Sequence, residues 1–195
     1  MGLWGESEFQ DGKFPRYLQF IDRQIAQAVN AAAAPDALQP VAQVIAAHTT
    51  PAETPGLRGL QVRTGCRPPA FYDDELRALQ FLDAEGATIA SMINWSTHPE
   101  SMESRNTFVT SDFVHYIRKH VERELGGTAV YLTGDLGAVE IVGDSCVGGA
   151  DPRHADGSNE FDHRDDIGFA RTEAIGSAVG AAVVTTPATA QMVKP

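Results

Sequence analysis

An imidazole stands where an apolar run, Ala87 to Trp95, gives way to the polar stretch Thr97-His98-Pro99-Glu100-Ser101-Met102. A histidine carried at a strand end is held by a stiff element yet reaches solvent, so His98 suits either metal ligation or proton transfer. The alternative is a loop histidine satisfied by its own neighbours. Zinc needs about three or four N, S or O ligands, one position staying open for water in a catalytic site. Glu100 and Glu103 follow His98 at two and five residues, a spacing that matches no compact motif of the His-Glu-x-x-His kind. A complete site is therefore not encoded locally.

The remaining histidines divide into three cases. His115 and His120 lie five apart on a predicted helix, which turns them about 140° from each other. His48 closes a short apolar run before Thr49-Thr50-Pro51, near the same working edge of the predicted sheet. His154, Asp156, His163, Asp165 and Asp166 are the densest set of potential ligands, within a loop rich in Gly and Asp. That loop could hold a divalent ion or simply be solvated. No Gly-x-Ser-x-Gly elbow and no phosphate-binding Gly-Lys-Ser/Thr loop occur, which removes support for serine esterase and P-loop chemistry.

The elements that must position these groups can be read from periodicity. Phe14, Leu18, Ile21, Ile25, Ala28 and Val29 recur at helical spacing, predicting a helix from Phe14 to Ala34, before Pro35. Val41 to Ala47 reads as a strand and Leu57 to Val62 as a second extended piece. Leu76 to Leu82 and Ala87 to Trp95, joined by Asp83-Ala84-Glu85-Gly86, read as a β-hairpin. Ser111 and Asp112 predict the cap of a helix running to Leu125, with Gly126-Gly127 as its stop, followed by a strand from Thr128 to Leu132. A long loop from Gly134 to about Arg164 precedes a last helix, about Asp165 to Val184, in which Gly176 and Gly180 permit close packing. No terminal strand is expected after it. With no repeat or linker, residues 1–195 read as a single α/β unit, a mixed β-sheet flanked by helices and part of a larger domain.

Composition narrows the partners. With 43% hydrophobic residues the chain can bury a core, and a net charge of -11 leaves no basic footprint for nucleic acid. No stretch approaches the roughly 20 apolar residues of a transmembrane helix. Cys66 and Cys146 form no CxxC pair, so neither a disulfide framework nor a zinc knuckle is indicated, although one bridge remains open.

Taken in order, Asp74-Glu75-Leu76, Phe81 to Gly86, Ile93-Asn94-Trp95-Ser96-Thr97-His98, Ser101-Met102 with Asn106, and Ser111-Asp112 resemble the neutral/alkaline ceramidase family. There, a strand ending in Asn-Trp-Phe-x-x-His leads to Ser-Met, an Asn-bearing loop and Ser-Asp at the next helix. The similarity runs from about Phe14 to Leu136. It implies an amidase cleaving the N-acyl bond of a lipid-like substrate with one zinc ion, held by two His, a Glu and a Tyr, and it suggests an exported protein. His98 matches the second zinc histidine. Ser101, Met102, Asn106 and Gly137 fall on the substrate side.

Two departures follow from the same resemblance. The first zinc histidine lies in a His-x-His stretch that in relatives precedes a segment similar to Gly2-Leu3-Trp4-Gly5. The Glu and Tyr ligands lie beyond the position of Pro195, so this chain is expected to be a fragment of a catalytic domain carrying one ligand of four. The family's Gly-Asp-Val-Ser-Pro-Asn loop is matched by Gly137-Ala138-Val139-Glu140-Ile141, which puts Glu140 at the position of the active-site serine. That change shifts the expected substrate away from ceramide itself toward another amide or ester. Besides an enzyme, the sequence admits a binding or scaffold module that kept the fold and lost the zinc chemistry, or a separate metal site at His154, Asp156 and His163.

Overall fold

A computed structural model describes residues 14–58, 60–63, 73–102, 106–136, 139–141 and 168–193. The chain falls into two units, the first ending at Pro40 and the second beginning at Val41. In the first, helix α1 spans Pro15–Ala32. Proline at its start presets φ and lacks an N–H that the first turn could not have bonded. Its end comes two residues before the predicted Ala34, and Tyr17 and Phe20 stack with ring centroids 6.5 Å apart.

The second unit is built on a mixed sheet. Its strands are β1 (Gln43–Thr49), β3 (Leu76–Leu82), β4 (Thr88–Trp95), β5 (Thr128–Thr133) and β7 (Ala190–Val193), in the spatial order β5-β4-β3-β1-β7. A separate ribbon pairs β2 (Gln61–Arg63) with β6 (Val139–Ile141). The predicted hairpin is β3–β4, antiparallel, with its turn closed by Asp83: the carboxylate Oδ1 accepts from the N–H groups of Glu85 (3.0 Å) and Ala87 (2.7 Å). Helix α2 (Phe113–Leu125) then carries the chain across to β5, which runs parallel to β4.

Side chains alternate across the strands. Leu76, Ile93, Trp95 and Ala129 turn to one face and form the core with Phe113, Ile117 and Val121 of α2 and Ile175, Val179, Ala182 and Val183 of α3 (Phe169–Thr185). Gly176 and Gly180 let those two helices touch, as predicted. A Cβ on Gly176 would stand 2.5 Å from the carbonyl oxygen of Phe113, and one on Gly180 would stand 2.7 Å from the Cβ of His120. The expected α/β architecture, a mixed sheet with helices, is therefore present, with α2 and α3 sharing one face. On the opposite face Met92, Val130 and Leu132 are exposed.

Three expectations need correction. A terminal strand does exist: β7 pairs antiparallel with β1 from Gln43↔Val193 to Ala46↔Ala190, entered through the Thr189 N–H on the carbonyl of Ala46 at 2.8 Å. Ala190-Gln191-Met192-Val193 ends on two apolar residues and so lacks the strict alternation that would announce a strand. The predicted extended piece from Leu57 is interrupted, because Pro55–Leu57 close a 3-10 turn in which Leu57 N–H donates to Thr54 O (3.0 Å), leaving only Gln61–Arg63 as strand. Strand β1 begins and ends two residues later than the predicted Val41 to Ala47, which brings His48 inside the ladder, opposite Arg77. Most of the predicted long loop, with His154, Asp156 and His163, and both cysteines lie outside the described residues.

Candidate functional site

Because β1 and β4 each run antiparallel to β3, and β5 runs parallel to β4, the carboxyl ends of β1, β4 and β5 meet along one edge of the sheet. Open α/β sheets bind their ligands outside such edges. His98 follows β4 there by three residues, with its side chain 32% exposed and its Nδ1 3.8 Å from Glu100 Oε1. That separation is too long for a hydrogen bond but close enough for attraction when the ring is protonated.

The segment that carries His98 is fastened at both ends. On the strand side, Ser96 and Thr97 are fully buried, Ser96 Oγ accepts from the N–H of Asp135 (2.9 Å), and the N–H of Gly134 donates to Trp95 O (3.0 Å). Gly134 is required for that approach, since a Cβ there would stand 2.3 Å from Ser96 Oγ. Tyr131 OH donates to Trp95 O at 3.1 Å, and burial pushes the Tyr131 hydroxyl well above the usual phenol range. Thr97 Oγ1 is buried without a hydrogen-bond partner among the described residues.

On the far side the anchor is Asp112, the N-cap of α2. Its Oδ1 accepts from Ser101 N–H (3.1 Å), the Ser101 hydroxyl (2.6 Å) and Phe113 N–H (2.8 Å), and its Oδ2 accepts from Met102 N–H (3.1 Å). Ser101 Oγ also lies 2.8 Å from Thr172 Oγ1 on α3, so loop, α2 and α3 meet at one buried polar cluster. Among the described residues Asp112 is the one non-glycine with positive φ, at φ 53 and ψ -147. Such backbone is nearly confined to glycine and costs on the order of 1–3 kcal/mol elsewhere.

The residues expected at the site are thus distributed unevenly. His98, Ser101 and Met102 share one loop, with Ser101 and Met102 buried and bonded internally. Asn106 folds its amide onto Phe108, donating to Phe108 O (2.7 Å) and accepting from Phe108 N–H (3.0 Å). Glu140 belongs to β6, opposite Val62 in the separate ribbon, and Gly137 lies outside the described residues.

Sequence reasoning placed His48 near this edge but missed the polar group that Arg77 and Asn94 form beside it. His48, Arg77 and Asn94 sit side by side in register on the sheet face away from α2 and α3. With Glu75, Leu79 and Met92 they line a cavity of about 420 Å³. Arg77 donates to both oxygens of Asp73 (2.5 and 3.1 Å) and lies 2.6 Å from Glu75. The guanidinium's hydrogen bonds hold the Asp73 carboxyl below the usual range, and Asp73 in turn raises Arg77. The four-residue spacing of Asp73 and Arg77 at a strand entrance was the available signal.

A partly exposed imidazole at a strand's carboxyl end fits a zinc ligand. Among the described residues no three of His, Cys, Asp or Glu converge. No helix among the described residues is long and apolar enough to cross a membrane.

No protein-family model and no curated protein matches the chain. Among solved structures it is similar to the neutral ceramidase from Pseudomonas aeruginosa, with a TM-score of 0.63 and 19% identity over 91% of this chain and 27% of that one. A ceramidase complexed with C2 gives a TM-score of 0.56 and 19% identity over 80% of this chain and 24% of that one. The chain therefore spans about a quarter of the length of these two structures, and its fold is ceramidase-like.

Proposed function

We propose that the chain forms part of a zinc-dependent, ceramidase-like amidohydrolase that cleaves an N-acyl bond in a lipid-like substrate, with His98 as one zinc ligand. The observation that carries this reading is the place of His98: a partly exposed imidazole on a doubly fastened loop at the carboxyl edge of a ceramidase-like sheet. When bound, zinc supplies a water with a pKa near ~7 and a Lewis acid for the scissile carbonyl. His98 would hold the metal, with the Glu100 carboxylate 3.8 Å from its Nδ1. The buried Ser96, Thr97 and Ser101 keep water away from the back of the loop.

In this reading Glu140 takes the proton-handling place of the family serine. Asn106 and Gly137 stand on the substrate side, and Ser101 and Met102 form the inner wall. The described residues hold no group of three zinc ligands, and in this reading the protein is exported. Calorimetry with zinc on the wild-type chain and its His98→Ala variant tests the assignment: weak binding, with a Kd above about 10 µM for a site short of its roughly four ligands, is expected, and His98→Ala abolishes it. In the intact protein His98→Ala is expected to lower hydrolysis of an N-acyl lipid more than about 100-fold. Equal zinc binding with and without His98 would sink the enzyme reading and leave the fold as a binding module.

A further inference from the structure

Capping α2 does not by itself require what Asp112 does. A serine or asparagine with extended backbone caps a helix at no conformational cost, whereas Asp112 holds φ 53 and ψ -147 and is 3% exposed. The carboxylate accepts one hydrogen bond from the helix, from Phe113 N–H, and three from the loop, from Ser101 N–H, the Ser101 hydroxyl and Met102 N–H. Strained backbone of this kind persists where its surroundings over-determine it, and it gathers at functional sites.

Thr97 to Glu100 bridge the two fastened ends, Ser96 on Asp135 and Ser101-Met102 on Asp112. With both ends fixed, the short bridge leaves its imidazole few orientations. A ligand must be held within about 0.5 Å and 10–20° of its working geometry by groups that are themselves locked. Thr172 adds a third element to the lock through Ser101 Oγ.

We propose that Asp112 is a positioning residue for His98, holding the imidazole in one orientation at the sheet edge. The proposal deepens the reading of His98 as a zinc ligand and rests on it for its purpose, but it is decided without metal. Asp112→Asn keeps an oxygen for Phe113 and Ser101, tolerates positive φ, and turns an amide N–H group against Met102 N–H. In zinc-free protein, hydrogen exchange at Ser101 and Met102 is expected to rise about tenfold. The NMR order parameter of the His98 ring falls, while exchange at Ile117 to Val121 in α2 stays unchanged.

An unchanged ring order parameter, or acceleration spread evenly through α2, overturns the proposal and reduces Asp112 to a helix cap. Should Asp112→Asn fail to fold, Ser101→Ala decides: about threefold faster exchange at Met102 with a lowered ring order is expected, and an unmoved ring overturns. Because ring order is read without zinc, loss of the zinc-ligand assignment in the His98→Ala titration is a separate result.

Discussion

His48 and His98 stand on the same edge of the sheet, and each has a glutamate oxygen 3.8 Å from Nδ1, Glu75 in one case and Glu100 in the other. Their surroundings are nonetheless opposite. His48 lies within the ladder of β1, its side chain 50% exposed, beside an ion-pair group of Asp73, Glu75 and Arg77 that faces solvent. His98 lies beyond its strand, on a loop held by a part-buried bond from Asp135 and buried bonds to Asp112. A histidine beside a carboxylate is ordinary surface chemistry. A histidine whose loop is bound from behind by a buried aspartate combines four hydrogen bonds with strained backbone at that aspartate, a combination that gathers at functional sites.

The contrast can be broken at its buried side first. Asp112→Ala strands the amides of Ser101 and Met102 and uncaps α2, and it should cost about 3 kcal/mol in urea unfolding; a loss below about 1 kcal/mol would place the two loops on an equal footing. Next comes Gly134→Ala, whose Cβ must displace Ser96 Oγ from its bond to Asp135. About 2 kcal/mol is expected there, with hydrogen exchange accelerating at Asp135.

The smallest effect belongs to the His48 side. Arg77→Ala removes partly exposed ion pairs and should cost less than about 1 kcal/mol at pH 6. Since Arg77 depresses the folded-state pKa of Asp73, its stabilisation is present above the unfolded value of about 3.9 and is lost as pH falls through the lower folded value. The gap between wild type and variant should therefore narrow by pH 2. A gap that widens in acid would show that Asp73 is not the partner that matters.

Much of the fold was legible because its signals are local. The β3–β4 hairpin announced itself through alternation and an acidic Gly turn, and α2 through Asp112 and the glycines after Leu125. The ceramidase-like fold was legible in the ordered series from Asp74 to Asp112. Much of that series is internally bonded: Ser101 and Met102 meet Asp112, and Asn106 folds onto Phe108. Roles for Glu140 and Gly137 rest on the resemblance, since those positions have no described side chains.

Sequence alone determined helix α2 and the β3–β4 hairpin, and it put a histidine just past the end of β4, since helix and strand periods, caps and turns act over a few residues. Tertiary structure decided which edge β1, β4 and β5 share, that β7 closes beside β1, and that the Ser101 hydroxyl meets Thr172 on α3. Those pairings join residues far apart in the chain, and no local preference specifies which buried donor finds which acceptor until the core has packed.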